Sequence, residues 1–231
     1  MMGAEDFGAP PRTRLFGVYP ALVRDVQDPE GQGRVKLELP FLAAADAAPA
    51  QAWARLATMM AGGGRGTWFI PEPDDEVLVA FAAGDPSHPI VIGALWNGAD
   101  AAPETMDADN NIRSITSRAG HRVTLDDTAG AAKVKIETAN GHVFNLDDAG
   151  GGTCTLQHSG GASITIDASG KVEITATSRV VVNAPAQLQV TAGMVQVDAA
   201  MSRFSGVVQC DTLITNAVVS ASYTPGAGNV W

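Results

Sequence analysis

The chain has 231 residues, 25 of them Gly, 13 Pro and 2 Cys, with a formal net charge of −10. That is enough for one ordinary domain and an appendage. It lacks the clustered Lys and Arg of a phosphate-binding surface, so no nucleic-acid partner is expected. No stretch reaches the roughly 18 consecutive apolar residues of a membrane span, and the Gly/Pro-rich extension 1–14 has no apolar segment of signal-peptide length, so neither membrane anchoring nor conventional secretion is expected.

Residues 15–98 carry six short apolar runs, at 16–26, 34–39, 52–57, 67–70, 76–82 and 90–95. Turn signals separate them: DPEG at 28–31, GGG at 62–64, PEPDD at 71–75 and GDP at 84–86. Short strands at this spacing predict a compact OB-type β-barrel, with Trp53, Trp68 and Trp96 expected in its core. GGGRG at 62–66 lacks the Lys-Ser/Thr of a phosphate loop and opens no helix. Residues 99–111 are polar and acidic and read as a linker.

From residue 112 onward the sequence repeats itself. GHRVTLDD at 120–127 returns as GHVFNLDD at 141–148 and, worn, as GASITID at 161–167. Apolar-x-apolar pairs run through the copies and between them: Val123/Leu125, Val134/Ile136, Phe144/Leu146, Cys154/Leu156, Ile164/Ile166, Val172/Ile174, Val180/Val182, Leu188/Val190 and Val195/Val197. Their first members are separated by steps of 11, 10, 10, 10, 8, 8, 8 and 7 residues. This is a ladder of short strands with period-two alternation, broken by Gly, Asn, Asp and Ser turns.

A strand with two apolar side chains does not offset the roughly 1–2 kcal/mol per residue that ordering its backbone costs. Single-chain solenoids reach a core with coils of about 20 residues or more, twice the unit here. Three identical chains around a threefold axis solve the problem, each giving one strand to a face before passing to the next. The apolar pairs of residues 112–222 then form the trimer core, and the alternate Thr, Lys, Glu, Ser and Asn face water. Ten or so strands stacked at ~4.8 Å make a stiff rod on the order of 50 Å long, narrowing as the units shorten.

Several residues invite a chemical reading. Cys154 and Cys210 fall in apolar register and read as small buried hydrophobes, with no C-x-x-C and no disulfide expected. His121, His142 and His158 share the parity of the inward pairs, which in a trimer could gather three imidazoles around an ion. Their place at strand ends beside Gly turns favours solvent instead. The pairs Asp126-Asp127 and Asp147-Asp148 fit turn-capping corners of a repeat better than glycosidase carboxylates, which need a cleft. No catalytic residue, metal site or cofactor is assigned.

Four runs in the barrel region carry a family resemblance: DPEGQGRVK (28–36), WAR (53–55), PEPDDEVLVAF (71–81) and GDPSHPIVIGALWNG (84–98). Together with the shortening repeat they resemble the central spike proteins of contractile tails, a family that includes phage baseplate assembly protein V, the T-even tail lysozyme spike, the VgrG spike of type VI secretion, and spikes of R-type pyocins and extracellular injection systems. The resemblance implies an all-β homotrimer, an OB-fold barrel followed by an intertwined triple-stranded β-helix. It also implies a non-enzymatic, membrane-piercing role at the baseplate of a phage virion or phage-tail-like particle, with the target cell envelope as the surface met on injection.

The departures carry expectations too. The barrel begins within about fifteen residues of Met1, so the trimeric baseplate hub is expected to be a separate polypeptide. The interval 98–112 is too short for a lysozyme domain. No His-x-His apex motif is present, so a separate PAAR-like tip protein is expected to dock on an apex at 223–231, through Tyr223, Pro225, Gly226, Asn229, Val230 and Trp231. A second function stays open from the residues alone: a trimeric glycan-binding tail fibre or adhesin, which a groove with exposed aromatics would favour.

Overall fold

The computed structural model of the chain describes residues 14–42 and 48–222. Contacts divide the chain into two units, 1–179 and 180–231. The first unit opens with strands β1 (Val18–Asp25), β2 (Val35–Leu39), β3 (Ala50–Leu56), β4 (Ala61–Gly62), β5 (Arg65–Gly66), β6 (Glu76–Phe81) and β7 (Pro89–Ala94). Five of them close into a barrel in the order β1-β2-β3-β7-β6. Strict alternation builds its core. Val35, Leu37 and Leu39 on β2 and Val77, Val79 and Phe81 on β6 point inward, joined by Ala21, Val23, Ala54 and Val91.

The hairpin joining β1 to β2 is held by one carboxylate. Asp28, its side chain only 4% exposed, accepts hydrogen bonds from the backbone N–H groups of Glu30, Gln32 and Arg34 and from the Arg34 guanidinium at 2.7 Å. The Arg34 contact, reinforced by the amides, holds the Asp28 carboxyl far below the usual carboxylate range. The DPEGQG run is thus a charge-assisted clasp that sets the register in which Arg34 enters β2.

Two expectations fail in the barrel region. The run 67–70 is not a strand. Ile70 precedes Pro71, which removes a donor and restricts its predecessor, and Thr67 makes the last ladder-like bond, from its N–H to the Met60 carbonyl at 3.0 Å. The chain instead folds back over 61–66 as a two-residue ladder around Gly63 and Gly64, with Gly64 at φ +66°. Trp68 and Trp96 are not core residues: they are 75% and 72% exposed, and only Trp53 is partly buried.

The repeat forms β8 (Ile112–Thr116), β9 (Arg122–Asp126), β10 (Lys133–Glu137), β11 (Val143–Asp147), β12 (Thr153–Gln157), β13 (Ser163–Ile166) and β14 (Val172–Thr175). They pair in sequence order as a seven-stranded antiparallel sheet. The spacing therefore served hairpins within one chain here, not strands handed to a neighbour after each unit. Five-residue turns take up the steps of ten, and the single step of eleven is absorbed by a six-residue turn, 127–132, without changing the face of any side chain. Shortening to a step of eight coincides with strands of four residues, β13 and β14.

In the second unit no described residue lies in a strand, so the strands expected at Val180/Val182, Leu188/Val190 and Val195/Val197 are not formed within one chain. These side chains are exposed. Two apolar residues per unit cannot hold a strand without a neighbouring edge to pair with.

Candidate functional site

The register of the sheet gathers the apolar pairs onto one face. Ile115 lies opposite Val123, Leu125 opposite Val134, Ile136 opposite Phe144, Leu146 opposite Cys154, Leu156 opposite Ile164, and Ile166 opposite Val172, with Ile174 beside Ile164. Within one chain this face is open: its Ile, Leu, Val and Phe side chains from β10 to β14 are 37% to 60% exposed. Cys154 is exposed on the same face, and Cys210 is exposed in the second unit, so neither is buried within a single chain. Covering the face would recover about 1 kcal/mol for each half-exposed side chain, on the order of ten kcal/mol per chain. A continuous apolar surface of this extent marks an interface.

The opposite face is polar, with Thr124, Lys135, Asn145, Thr155, Thr165 and Glu173 in successive register. The acidic segment expected to be a plain linker is tied to it. The Glu104 carboxylate accepts from Ser114 Oγ on β8 and pairs with Arg122 on β9. Thr124, the partner of Ser114, is 8% exposed on that face.

Turns on the two edges of the sheet account for the repeated polar residues. Asp126, Asp147 and Asp167 accept the N–H groups of Thr128, Ala149 and Ser169, which is the corner role expected of the acidic pairs. The hydroxyl and amide of Thr128, followed by Lys133, lower the Asp126 pKa, and Ser169 does the same for Asp167. On the other edge the histidines sit in turns rather than on the apolar face. His121 Nδ1 accepts the Ala139 N–H at 3.3 Å, and His142 Nδ1 accepts the Ser159 N–H at 3.2 Å. His158 Nδ1 accepts the Gly160 N–H at 2.9 Å, and its ring packs against that of His142 at a tilt of 49°, with centroids 4.5 Å apart. Each imidazole thus staples a turn. The 21-residue recurrence of Gly-His, preceded by Ser117 or Thr138 whose hydroxyl accepts the His amide, was the signal for it.

A second apolar surface lies on the barrel, where the 57–70 excursion faces the β1–β2 hairpin across a groove of about 800 Å³. Trp68 stacks close over Gly33, where a Cβ would meet the ring at 3.2 Å, and Met59, Met60 and Phe69 are exposed beside it. The Thr58 and Thr67 hydroxyls bond each other. The six residues expected to dock a tip, Tyr223, Pro225, Gly226, Asn229, Val230 and Trp231, lie outside the described residues.

Residues 19–96 match the type VI secretion system/phage-baseplate injector OB domain, and residues 133–202 match the phage baseplate V C-terminal trimerisation domain. The chain belongs to the phage baseplate V and VgrG-like spike family. Among curated relatives, the type VI secretion system spike protein VgrG3 of Vibrio cholerae is 26% identical over 127 residues, 49% of this chain and 12% of its own length. VgrG1a and VgrG4b of Pseudomonas aeruginosa are 29% and 32% identical over 92 and 88 residues, each match covering 36% of this chain and 14% and 11% of the relative. The chain thus spans about an eighth of the length of these relatives. The baseplate V trimerisation match runs from β10 into the second unit, taking in the apolar pairs from Val134/Ile136 to Val195/Val197.

Proposed function

We propose that three copies of this chain form the central spike of a contractile phage tail or phage-tail-like injection particle. Contraction would drive the spike through the target cell envelope. The observation that carries this reading is the open apolar face of β10 to β14 inside a segment matching a trimerisation domain. Val123, Leu125, Val134, Ile136, Phe144, Leu146, Ile164, Ile166, Val172 and Ile174 would meet their counterparts across the axis. Val180, Val182, Leu188, Val190, Val195 and Val197 would pair only in the intertwined β-helix, which supplies the strand edges that one chain lacks. Light scattering of the purified protein should give about three times the chain mass of 23.8 kDa. A stable folded monomer at micromolar concentration would remove the basis for a spike.

A trimeric baseplate hub above the barrels and a PAAR-like protein on the distal apex are the neighbours this role calls for, at the baseplate of the particle. The role is mechanical. Asp126 and Asp147 already serve turn amides at the edge of a sheet, where no cleft positions them for hydrolysis. Purified protein should leave peptidoglycan intact in a zymogram, and a lytic band that survives repurification would reverse this assignment.

The glycan-binding fibre or adhesin draws on the exposed Trp68 and Trp96. The groove beside Trp68 suits sugar poorly: among the described residues no carboxylate lines it, and its two threonine hydroxyls are engaged with each other. Sugar hydroxyls need paired donors and acceptors.

A further inference from the structure

The barrel groove and the segment between barrel and sheet are complementary in both chemistry and charge. On one side stand Met59, Met60, Trp68 and Phe69, between 53% and 94% exposed, with Arg55 and Arg65 also lining the groove. Among the described residues, neither arginine has a carboxylate partner and no residue lining the groove is acidic, in a chain whose net charge is −10.

On the other side stands a tongue, residues 105–110. Glu104 anchors its start on Ser114 and Arg122, and β8 follows at Ile112. Asp107 Oδ1 accepts the Asn110 N–H at 2.7 Å, and Asn110 sits at φ +48°, so the tongue has a defined turn. Its apolar tip, Met106, is 91% exposed, flanked by Asp107 and Asp109, and the whole interval 99–111 contains no Lys or Arg.

A tongue of this length matches the room in the groove, since ligand clefts of about 300–1,000 Å³ seat a few side chains. In its own chain the tongue is not seated there, as the exposure of Met106 shows. We propose that the tongue of one protomer docks in the barrel groove of the next, Met106 entering between the methionines and Trp68 while Asp107 and Asp109 face Arg55 and Arg65. A contact between two different patches closes into a ring under threefold symmetry, so each trimer holds three such clasps. Methionine on both sides fills an irregular groove well, and the opposed charges fix the seating. This inference rests on the trimeric reading above.

The test is cross-linking of the full-length protein, with Cys154→Ala and Cys210→Ala to remove its own exposed thiols, carrying both Met60→Cys and Met106→Cys with a short bismaleimide, beside each single variant. Covalent trimers are expected from the double variant at roughly tenfold the yield of either single one. Trimeric mass by light scattering with no excess cross-linking would overturn the clasp and leave the trimer standing; single-chain mass for the unaltered protein would overturn both. Peroxide oxidation of the unaltered protein gives an independent reading. Met60 and Met106 should both oxidise at least about tenfold more slowly in the folded assembly than in denaturant. Oxidation of both at the denatured rate in an intact trimer would show the groove empty and open to another ligand, an oligosaccharide included.

Discussion

Ile166→Asp is expected to abolish assembly, leaving the single-chain mass in light scattering and apolar surface that binds a hydrophobic dye. Ile166 lies between Cys154 and Val172 on the apolar face. In a trimer the variant brings three carboxylates to one tier around the axis, without counter-ions. Each costs several kcal/mol to bury unpaired, against about 1 kcal/mol per side chain gained by covering the face. Thr165→Lys, one residue away, is the control. Thr165 lies on the polar face between Thr155 and Glu173, so a lysine there gains a cross-strand carboxylate. It should keep the trimeric mass and melt within a few degrees of the unaltered protein. Equal damage from the two changes would mean that the apolar face is not the buried one.

Asp28→Asn should loosen the barrel at neutral pH while leaving the sheet strands paired. The substitution preserves shape but removes the charge that binds the Arg34 guanidinium and three backbone amides. A drop of more than about 5 °C in the barrel's melting temperature is expected at pH 7. Hydrogen exchange of the Val35 and Leu37 amides should accelerate more than that of Val134. The pH dependence has a definite sign. The folded carboxyl titrates far below the usual range because of Arg34, whereas in the unfolded chain it titrates near 3.9. Its stabilisation is therefore complete above about pH 5, and it fades as the pH falls through 4 toward the folded value. The gap between Asp28→Asn and the unaltered protein should narrow from pH 7 to pH 3. A gap that stays constant would show that the carboxylate charge does not hold the hairpin.

Side-chain parity was legible in the sequence because a strand places alternate residues on opposite faces. Val123/Leu125 through Val172/Ile174 could be assigned to one face from spacing alone. The strands' partners were not legible. A step of ten residues suits a hairpin inside one chain as well as a strand passed to a neighbour, and only the pairing of β8 through β14 distinguishes the two. The barrel's alternation was equally clear at Val35, Leu37 and Leu39. Trp68 misled because aromatic residues in a short apolar run read as core, whereas Pro71 ends any ladder there. The histidines were placed at the right ends of the strands, but each one's Nδ1 bond runs to a backbone amide whose position depends on how successive turns stack. Glu104 shows the same limit. Nothing in its local sequence points to Arg122, which lies 18 residues away and becomes a neighbour only when β8 and β9 pair.

The in-sequence pairing of β8 to β14 also sets an order of events during synthesis. Each hairpin closes over five or six residues, so the contacts of this sheet are local and form fast, before the chain is released or meets another. Among the described residues, the region after Val180 forms no strand with its own chain, so on the trimeric reading it would wait for its neighbours. Three chains arriving with the same preformed sheet present identical tiers, so their apolar faces can align before the unpaired regions engage. Strand exchange then proceeds from a fixed starting tier, and register errors in the weakly patterned distal sequence are suppressed by what folded upstream. Assembly on this route is bimolecular only at its first steps. Its rate should depend on chain concentration while the sheets meet, and become independent of it once they have.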